Sequence, residues 1–563
     1  MGQKAVTQSR IALLRAPPFP AENGSVSTPV GTASTPLALS QSDLFALVRA
    51  ARVGGSFWED EADLSSPPGT VLRPRDMSDI SQQMAAMTAP ERRSALWIAA
   101  DRRMGRALKR LVSIEGGEWR GEVDPWSALA QANCLVAHGD DEWIAIARIS
   151  RIDVRVLSPG RYGAPTDDAA ALDKAAAEAL TAADWRNPFT GAPSTIEATV
   201  ELLAMWRKTL EANRRIAAVC GMAWWKRAEI RRFLWHPNRR LRLYRSPNLA
   251  LAVAQSKQGA VAIWPSRVSA KLIDKCRDKA VPLVRVEDGF VRSVGLGVHL
   301  VPPSSIVVDA LGIHFDPAGQ SHLEEILAKT SFSQRLLQRA CALRETIVSA
   351  GISKYGAGKT EVVPERKPGR RLVLVAAQVE DDMSVLAGGG GITSNLEILR
   401  RARKLEPDAE IWFRPHPDVD AGHRKGAVPD ADILGLADRI VRGPSMAALL
   451  DAVDAVHVLT SLTGFEALLR GKVVTCHGTP FYAGWGLTRD LGAISERRGR
   501  PLTLDALVAG VLILYPRYLD PLTGLPCPPE VLIGRMATDD APNRLSWIAS
   551  VRRLQGRIRA ALS

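Results

Sequence analysis

Three consecutive carboxylates, Glu380, Asp381 and Asp382, follow the apolar run RRLVLV (370–375) in the segment AAQVEDDMSVLAGGGG (376–391). A carboxylate at the end of a buried strand can be solvated, can bind a metal ion or can take part in catalysis. Metal binding would need further His or Asp ligands at helical or hairpin spacing, and the neighbouring sequence has none. The four glycines 388–391 would let the backbone approach a ligand closely.

A second segment, VLTSLTGFEALLRGK (458–472), places hydroxyl groups and a glycine between an apolar strand and an apolar-periodic helix. The unpaired N–H groups at a helix start, together with the hydroxyls of Ser461 and Thr463, can bind an anion such as phosphate. The same residues also fit an ordinary Ser/Thr helix N-cap.

A third segment, FRPHPDV (413–419), places Arg414 and His416 at the end of the strand AEIWF. Alone it is typical of a rigid turn. Because ligands of open α/β sheets bind at the carboxyl edge, this segment and the Ser/Thr helix start together predict a nucleotide-phosphate site. The absence of a Walker A motif and of a convincing GxGxxG disfavours kinases, ATPases and dinucleotide enzymes.

A fourth segment, RVEDGFVRSVGLG (285–297), carries Glu287 and Asp288 out of a strand, with Arg285 and Arg292 close in sequence. Such a set can serve acid/base chemistry or bind sugar hydroxyls. It equally fits a surface turn with ion pairs.

Alternating strands and helices must position these residues. The strand-like runs are apolar throughout, which predicts parallel sheets covered on both faces. We expect an α/β, GT-B-like pair of doubly wound Rossmann-type domains facing a cleft, with an additional N-terminal α/β region. The predicted parts are a disordered segment (1–41), an N-terminal α/β region that is a degenerate half-module (42–205), an acceptor-side domain (206–365), a donor domain (366–540) and a basic amphipathic C-terminal helix (541–563).

A faint internal repeat relates 133–159 to 454–480, 321 positions apart. Both copies follow the pattern strand, turn, helix, strand. The first copy has Gly139, Asp140, Asp141 and Glu142 where the second has the Ser/Thr helix start, so acids would stand where an anion would bind. Coincidental similarity of two Rossmann-like segments is the alternative.

The bulk composition narrows the function class. A net charge of +13 suits anionic partners, or else simply a solvated basic surface. Six scattered cysteines, with no CxxC pair, are typical of reduced thiols in a cytoplasmic protein. The longest apolar run, ALVAGVLILY (506–515), is too short to span a membrane, and the N-terminus lacks a secretory signal.

The motifs resemble, in order, those of the bacterial capsule polysaccharide β-Kdo transferases. The matching segments are WWKR (224–227), RVEDGFVRSVGLG, PPSSIVVDALGIHFDP (302–317), ISKY (352–355), QVEDDMSV, RPHPDV, TSLTGFEALLRGK, TCHGTPFYAGWGLT (475–488) and YPRYLDPLTG (515–524). The resemblance implies CMP-β-Kdo as the donor, a lipid-linked saccharide acceptor, and retaining transfer by double displacement. It implies neither a cofactor nor a metal.

The resemblance also implies roles for individual residues. Asp382 falls on the nucleophile, while Glu287 and Asp288 fall on the acceptor-side acidic pair. The donor-binding set is His416, Arg414, Ser461, Thr463, Gly464 and Gln378. Glu380 and Asp381 are expected to be supporting or solvated residues, and the glycines to leave room for the sugar.

The chain departs from the family pattern in two ways. The first 205 residues fit at best half of a second module, and Gly356 and Arg414 stand where Asn and Lys are usual.

We expect a cytoplasmic protein, peripheral on the inner membrane and associated with the capsule export machinery, with no nucleic-acid partner. The C-terminal helix could lie on anionic lipid or pack across the domains. The alternatives are a non-catalytic capsule assembly or export factor, or a GT-B enzyme that uses another nucleotide sugar.

Overall fold

The computed structural model describes residues 12–20, 39–292, 301–353, 356–357, 363–422 and 424–538. The chain forms two compact units. The N-terminal unit comprises Met1–Arg214 and Trp235–Arg240, and the C-terminal unit comprises Arg215–Leu234 and Leu241–Ser563. The predicted amphipathic helix 541–563 lies outside the described residues.

The N-terminal unit has, in its described part, one five-stranded parallel sheet in the order β3-β2-β1-β4-β5. Its strands are β1 (Thr70–Leu72), β2 (Ala95–Ile98), β3 (Glu118–Arg120), β4 (Cys134–Ala137) and β5 (Asp153–Val156). Its helices are α1 (Gln41–Ala51), α2 (Met77–Ala86), α3 (Ala89–Arg93), α4 (Arg102–Glu115), α5 (Pro125–Leu129), α6 (Trp143–Ile149), α7 (Ala169–Thr181) and α8 (Ile196–Arg214).

Residues 12–20 differ from the predicted disordered segment 1–41. Leu13 and Leu14 are fully buried, and the Phe19 ring packs edge-on against Trp206 with centroids 5.1 Å apart. Burial of these apolar side chains opposes the backbone entropy that would otherwise keep such a segment mobile. This part of the predicted segment is therefore ordered.

The C-terminal unit contains a sheet with seven described strands, in the order β20-β19-β10-β9-β8-β6-β7. These are β6 (Ile216–Cys220), β7 (Leu243–Tyr244), β8 (Ala260–Ile263), β9 (Leu283–Asp288), β10 (Ser305–Asp309), β19 (Pro516–Leu519) and β20 (Pro526–Cys527). The strands β7, β6, β8 and β9 are parallel, whereas β10, β19 and β20 add antiparallel. Associated helices are α9 (Arg227–Phe233), α10 (Pro247–Ser256), α11 (Ala270–Asp278), α12 (His322–Lys329) and α13 (Gln334–Ser349), followed by the short hairpin β11 (Ile352–Ser353) and β12 (Gly356–Ala357).

A second sheet of the same unit has six described strands, all parallel, in the order β15-β14-β13-β16-β17-β18. These are β13 (Leu372–Ala376), β14 (Glu410–Arg414), β15 (Arg439–Ile440), β16 (Ala455–Val458), β17 (Val473–Cys476) and β18 (Arg489–Asp490). Its helices are α14 (Met383–Gly388), α15 (Asn395–Leu405), α16 (Pro417–Asp420), α17 (Asp430–Leu434), α18 (Met446–Ala452) and α19 (Leu462–Leu469). The last helices, α20 (Leu504–Val508), which continues as a π-helix (Ala509–Leu514), and α21 (Pro529–Ala537), pack against α13 instead.

The predicted donor domain, 366–540, differs from the structure at its C-terminal end. β19 pairs with β10, and β20 follows at the edge, so 516–527 complete the sheet of the predicted acceptor-side domain. The Tyr515 hydroxyl donates to Asp309 at 2.9 Å, which fixes this return. Sequence periodicity identifies a strand but not the sheet that it joins.

The predicted fold class is confirmed: both units are α/β with Rossmann-like sheets, although the prediction of wholly parallel sheets misses the antiparallel β10, β19 and β20. All five residues of β13 are buried, as expected for a strand covered on both faces. Among the described residues, no helix is long and apolar enough to cross a membrane.

Candidate active site

The candidate site lies at a switch in strand order of the six-stranded sheet. The chain leaves β13 for β14 and β15 on one side, then returns to β16 on the other side of β13. Ligands of open α/β sheets bind in the crevice at such a point, beyond the carboxyl ends of the strands. Gln378 follows β13, and Thr460 follows β16, so both lie at this crevice.

Asp382 is exposed and caps the first turn of α14. Its Oδ2 accepts hydrogen bonds from the Ser384 hydroxyl at 2.7 Å and from the Ser384 N–H at 3.3 Å. The Ser384 hydroxyl lies 3.5 Å from the Thr460 hydroxyl. A line of polar groups therefore runs from Asp382 to Thr460, which precedes the cap of α19. Oδ1 of Asp382 accepts no hydrogen bond within the described part of the chain.

The neighbouring acids have supporting contacts. Glu380 accepts from the N–H of Asn395 at 2.8 Å, at the start of α15. Asp381 forms an exposed ion pair with Arg424 at 3.0 Å. Glu380 thus contacts the start of α15 and Asp381 is exposed to solvent; that both are supporting or solvated residues in the reaction stays a prediction.

The glycines 388–391 close α14. A Cβ at Gly388 would lie 3.1 Å from the Thr460 methyl group, and Gly390 and Gly391 have φ of +59° and +88°. Both φ values lie in the left-handed region that favours glycine. The structure thus gives these glycines a turn and a close packing contact, and a Cβ at Gly390 or Gly391 would meet no atom within 4 Å, so the predicted space for a sugar stays a prediction.

The start of α19 is a compact Ser/Thr cap. The Ser461 hydroxyl accepts from the Thr463 N–H at 3.2 Å and donates to the Thr463 hydroxyl at 3.1 Å. The N–H of Gly464 donates to the Ser461 carbonyl at 3.1 Å, so it is used within the turn. A Cβ on Gly464 would collide with the Tyr482 phenol, whose hydroxyl donates to the Ser461 carbonyl. Gly464 therefore serves packing, and the two hydroxyls are the groups suited to an anion.

His416 caps the short helix α16. Its Nδ1 accepts from the Asp418 N–H at 3.2 Å, so the neutral ring carries its proton on Nε2. Arg414, at the end of β14, donates to the Val441 carbonyl at 2.9 Å. β14 is the direct neighbour of β13, which places His416 at the same sheet edge as Asp382.

The predicted acidic pair ends β9 in the other sheet. Asp288 binds Lys226 Nζ at 2.9 Å through Oδ1 and Arg292 Nε at 2.9 Å through Oδ2. Lys226 lies 3.5 Å above the Trp264 ring, in a cation–π arrangement. Burial, only partly opposed by Asp288 and Glu287, lowers the pKa of Lys226. Asp288 is thus a carboxylate fixed between two buried cations.

Aromatic packing joins the two sheets of the C-terminal unit next to these groups. Phe290, two residues after Asp288, packs against Phe481 with ring centroids 4.6 Å apart, and against Phe465 of α19 at 6.4 Å. The acidic pair and the Ser/Thr helix start are therefore held within one rigid apolar junction.

The predicted repeat corresponds to matching elements of structure. β4 and β16 begin and end 321 positions apart, and each has a parallel neighbour in the next strand, β5 and β17. The five-stranded sheet of the N-terminal unit and the first five strands of the six-stranded sheet also have the same spatial order: third, second, first, fourth, fifth along the chain. In these two sheets the first strands, β1 and β13, are each followed within a few residues by Asp-Met-Ser. The aspartates, Asp76 and Asp382, cap the next helices, α2 and α14.

In the N-terminal unit the expected anion position is filled by the protein itself. Asp140 pairs with Arg75 at 3.1 Å and Asp141 with Arg73 at 2.5 Å. Both arginines follow β1, and both acids precede α6. Carboxylates and guanidinium groups thus neutralise each other across the crevice where the other sheet has Asp382 and Ser461.

Sequence reasoning missed three residues that the site uses. Thr460 and Ser384 complete the polar line from Asp382, and Lys226 fixes Asp288. Lys226 stands in the quoted motif WWKR, and Ser384 directly follows Asp382 and Met383, so the sequence contained a signal for both. Within the described ranges no group of three or more His, Cys, Asp or Glu side chains could hold a metal ion.

Together, the Rossmann-like sheets and the crevice at the strand switch define an α/β protein of the doubly wound class. Residues 259–357 and 357–518 match a family model described as capsule polysaccharide biosynthesis protein. The capsule polysaccharide modification protein LipA of Neisseria meningitidis is 39% identical over 348 residues, which are 62% of this chain and 49% of that protein. The lipopolysaccharide-processing protein LpsZ of Rhizobium meliloti is 44% identical over 242 residues, 42% of this chain and 55% of that protein.

Among solved structures, KpsC of Thermosulfurimonas dismutans, a beta Kdo 2,7 transferase, is 34% identical over 57% of this chain and 99% of that chain, with a TM-score of 0.48. The chain spans about half the length of the curated relatives that it matches. Over residues 259–518 the chain is thus similar to capsule polysaccharide biosynthesis proteins.

Proposed function

We propose that this protein is a retaining glycosyltransferase that transfers Kdo from CMP-β-Kdo to a lipid-linked saccharide in capsule polysaccharide synthesis. The observation that carries the proposal is the placement of Asp382. Its carboxylate is exposed at the strand switch, oriented by Ser384, and joined through Thr460 to the start of α19. In this proposal the nucleophile and the phosphate site share one sheet edge.

In the first step, Oδ1 of Asp382 attacks the anomeric carbon of Kdo. The bond from that carbon to the phosphate oxygen breaks, and its electron pair leaves with CMP. The hydroxyls of Ser461 and Thr463, the N-terminal end of α19 and His416 Nε2–H are suited to stabilise the leaving phosphate. Because these groups supply positive potential, we expect turnover to persist after treatment with EDTA.

In the second step, an acceptor hydroxyl attacks the same carbon and releases Asp382, so that two inversions give retention. The hydroxyl proton passes to a carboxylate of the acidic pair. Since both oxygens of Asp288 are held by Lys226 and Arg292, we assign the proton to Glu287 and a positioning role to Asp288. The lipid-linked acceptor places the protein peripherally on the cytoplasmic face of the inner membrane.

The test is transfer from CMP-Kdo to a Kdo-primed glycolipid, followed by mass spectrometry. Wild-type protein should add one Kdo, and Asp382→Ala and Asp382→Asn should abolish transfer while CMP still binds. The matched control is Asp381→Ala, which removes an adjacent exposed carboxylate and should leave turnover near that of the wild type. Normal turnover of Asp382→Ala would overturn the mechanism.

The donor nucleotide needs a separate measurement. A thermal-shift comparison of CMP, UDP and GDP should show stabilisation by CMP alone. Stabilisation by UDP or GDP instead would indicate another nucleotide sugar, and no stabilisation by any of them would favour a non-catalytic assembly factor.

A further inference from the structure

The exposed tryptophan of the motif WWKR has no role in the chemistry above. Trp224 is 61% exposed and is the only tryptophan among the exposed large hydrophobic side chains of the described residues. Isolated exposed apolar residues are common on protein surfaces, so exposure alone is not informative. What makes Trp224 informative is the group of residues around it.

The turn that carries Trp224 is held in place by buried contacts. Lys226, two residues later in the same short 3-10 turn (Trp224–Lys226), is buried between the Trp264 ring and Asp288. A Cβ at Gly221 would lie 2.9 Å from Val268, so the loop after β6 packs closely on the loop after β8. Trp224 is therefore presented by a rigid turn beside the acidic pair.

Two arginines stand on either side of Trp224 at the same sheet edge. The strand order β9-β8-β6-β7 places the ends of these four strands in one row. Arg245 follows β7, Trp224 follows β6, and Arg267 follows β8, in the 3-10 turn Pro265–Arg267. Both arginines are exposed, and neither forms an ion pair within the described part of the chain.

We propose that Trp224, Arg245 and Arg267 bind the acceptor, a saccharide that carries carboxylate or phosphate groups. The inference rests on the proposed transferase function and names its acceptor class. An indole face packs against the apolar C–H face of a sugar ring, and a guanidinium group binds a carboxylate or phosphate through two parallel hydrogen bonds. The row then leads from the arginines across Trp224 to Glu287 and Asp288, where the acceptor hydroxyl would react.

An anionic membrane surface would also attract an exposed tryptophan and arginines. The position of the row favours the saccharide, because β9, which ends in the acidic pair, is the next strand beyond β8. The experiments separate the two sources of anionic groups.

The first experiment measures binding without turnover. A soluble Kdo disaccharide glycoside and its neutral, carboxyl-reduced counterpart are titrated into full-length wild type, Trp224→Ala, Trp224→Phe, Arg245→Ala and Arg267→Ala. We expect Trp224→Ala to weaken binding of the acidic glycoside about tenfold, and Trp224→Phe to recover most of the loss. The arginine variants should weaken binding of the acidic glycoside but not of the neutral one. Ile114→Ala, at another exposed apolar residue, is the matched control.

The second experiment follows transfer. Trp224→Ala should raise KM for the acceptor about tenfold, with KM for CMP-Kdo and acceptor-independent CMP release within about twofold of wild type. If wild type binds the glycoside but never releases CMP, the proposed transferase function fails while this site stands. Failure of wild type to bind the glycoside, or equal binding by Trp224→Ala, overturns the site. A Trp224→Ala variant that binds the glycoside normally but loses its preference for phosphatidylglycerol over phosphatidylcholine vesicles would give a different result. That result would assign Trp224, Arg245 and Arg267 to the membrane surface and would also overturn the proposed saccharide site.

Discussion

The side-chain amide of Gln378 forms two hydrogen bonds with Thr460 and thereby joins the ends of two neighbouring parallel strands. Its oxygen accepts from the Thr460 N–H at 2.8 Å, and its nitrogen donates to the Thr460 hydroxyl at 3.0 Å. Because Thr460 directly precedes the cap of α19, this pair sets the position of the proposed phosphate site relative to Asp382. Gln378, predicted from the family pattern to bind the donor, thus has its amide engaged in the protein.

Replacing Gln378 with Ala should lower the free energy of unfolding by about 1–3 kcal/mol, because the buried N–H of Thr460 loses its partner. Binding of CMP should weaken as the crevice loosens. Urea unfolding and CMP titration measure the two effects. The control Gln338→Ala, on the exposed face of α13, should change neither, and an unaltered CMP affinity in Gln378→Ala would contradict the positioning role.

Gly464→Ala should destabilise the protein by about 1–3 kcal/mol, since the new methyl group would collide with the buried Tyr482. Thermal unfolding measures the loss. Gly534→Ala is the matched control: it lies in α21 with no atom within 4 Å of the added Cβ, so the unfolding temperature should stay equal or rise slightly. Equal unfolding temperatures for both variants would show that the site relaxes around the methyl group.

Lys226→Met should separate acceptor chemistry from donor chemistry. It removes the cation bound to Oδ1 of Asp288 but retains much of the apolar stem between Trp264 and Trp225. We expect a strong loss of transfer with CMP release in the absence of acceptor retained, and a stability loss of about 3 kcal/mol or less. Lys271→Met, at an exposed lysine of α11, serves as the control. Equal loss of both activities would indicate a general structural effect instead.

The pair His457 and His477 predicts how stability depends on pH. His457 Nδ1 lies 3.0 Å from His477 Nε2, and burial lowers the pKa of each imidazole to about 4. Below pH 6.5 the unfolded chain binds protons that the folded chain does not, so stability is full above pH 6.5 and is lost as the pH falls towards about 4. Between about pH 7 and pH 5 we expect a loss of about 2 kcal/mol for each imidazole, and so up to about 4 kcal/mol for the pair.

The variant His457→Leu with His477→Leu should lose less stability over this pH interval, as measured by urea unfolding at several pH values. A slope identical to that of the wild type would show that other groups govern the acid response.

The N-terminal unit should bind no nucleotide. Its anion position is occupied by the pairs of Asp140 with Arg75 and Asp141 with Arg73. Calorimetric titration with CMP should therefore give one site per chain, and Ser461→Ala combined with His416→Ala should remove it. A second site that survives in this double variant would contradict the prediction.

Much of this fold could be predicted because local patterns are sufficient for it. Strands such as β6, 216–220, stand out as buried apolar runs, and polar residues directly after a strand must lie at the carboxyl edge of a parallel sheet. The order of motifs indicated the family. The sequence also showed the repeat of β4 and β16, because equal spacing survives when side chains diverge.

Other features depend on contacts between residues far apart in the chain, which no local pattern encodes. β19 and β20 join the first sheet although they follow the second, because β10 offers a free edge there. Gly464 suited a phosphate loop by type, yet the ring of Tyr482 is what requires it.

The sequence by itself determined the α/β class, the resemblance to capsule polysaccharide proteins and the set of polar residues at the strand ends. The tertiary structure decided which of these carboxylates are committed to partners. Lys226 and Arg292 hold Asp288, Arg424 pairs with Asp381, and the amide of Asn395 binds Glu380. Within the described part of the chain, Asp382 keeps one oxygen without a hydrogen bond because its own helix cap uses only the other. A carboxylate's role depends on which donors reach it in space, and that is settled only when the sheets pack.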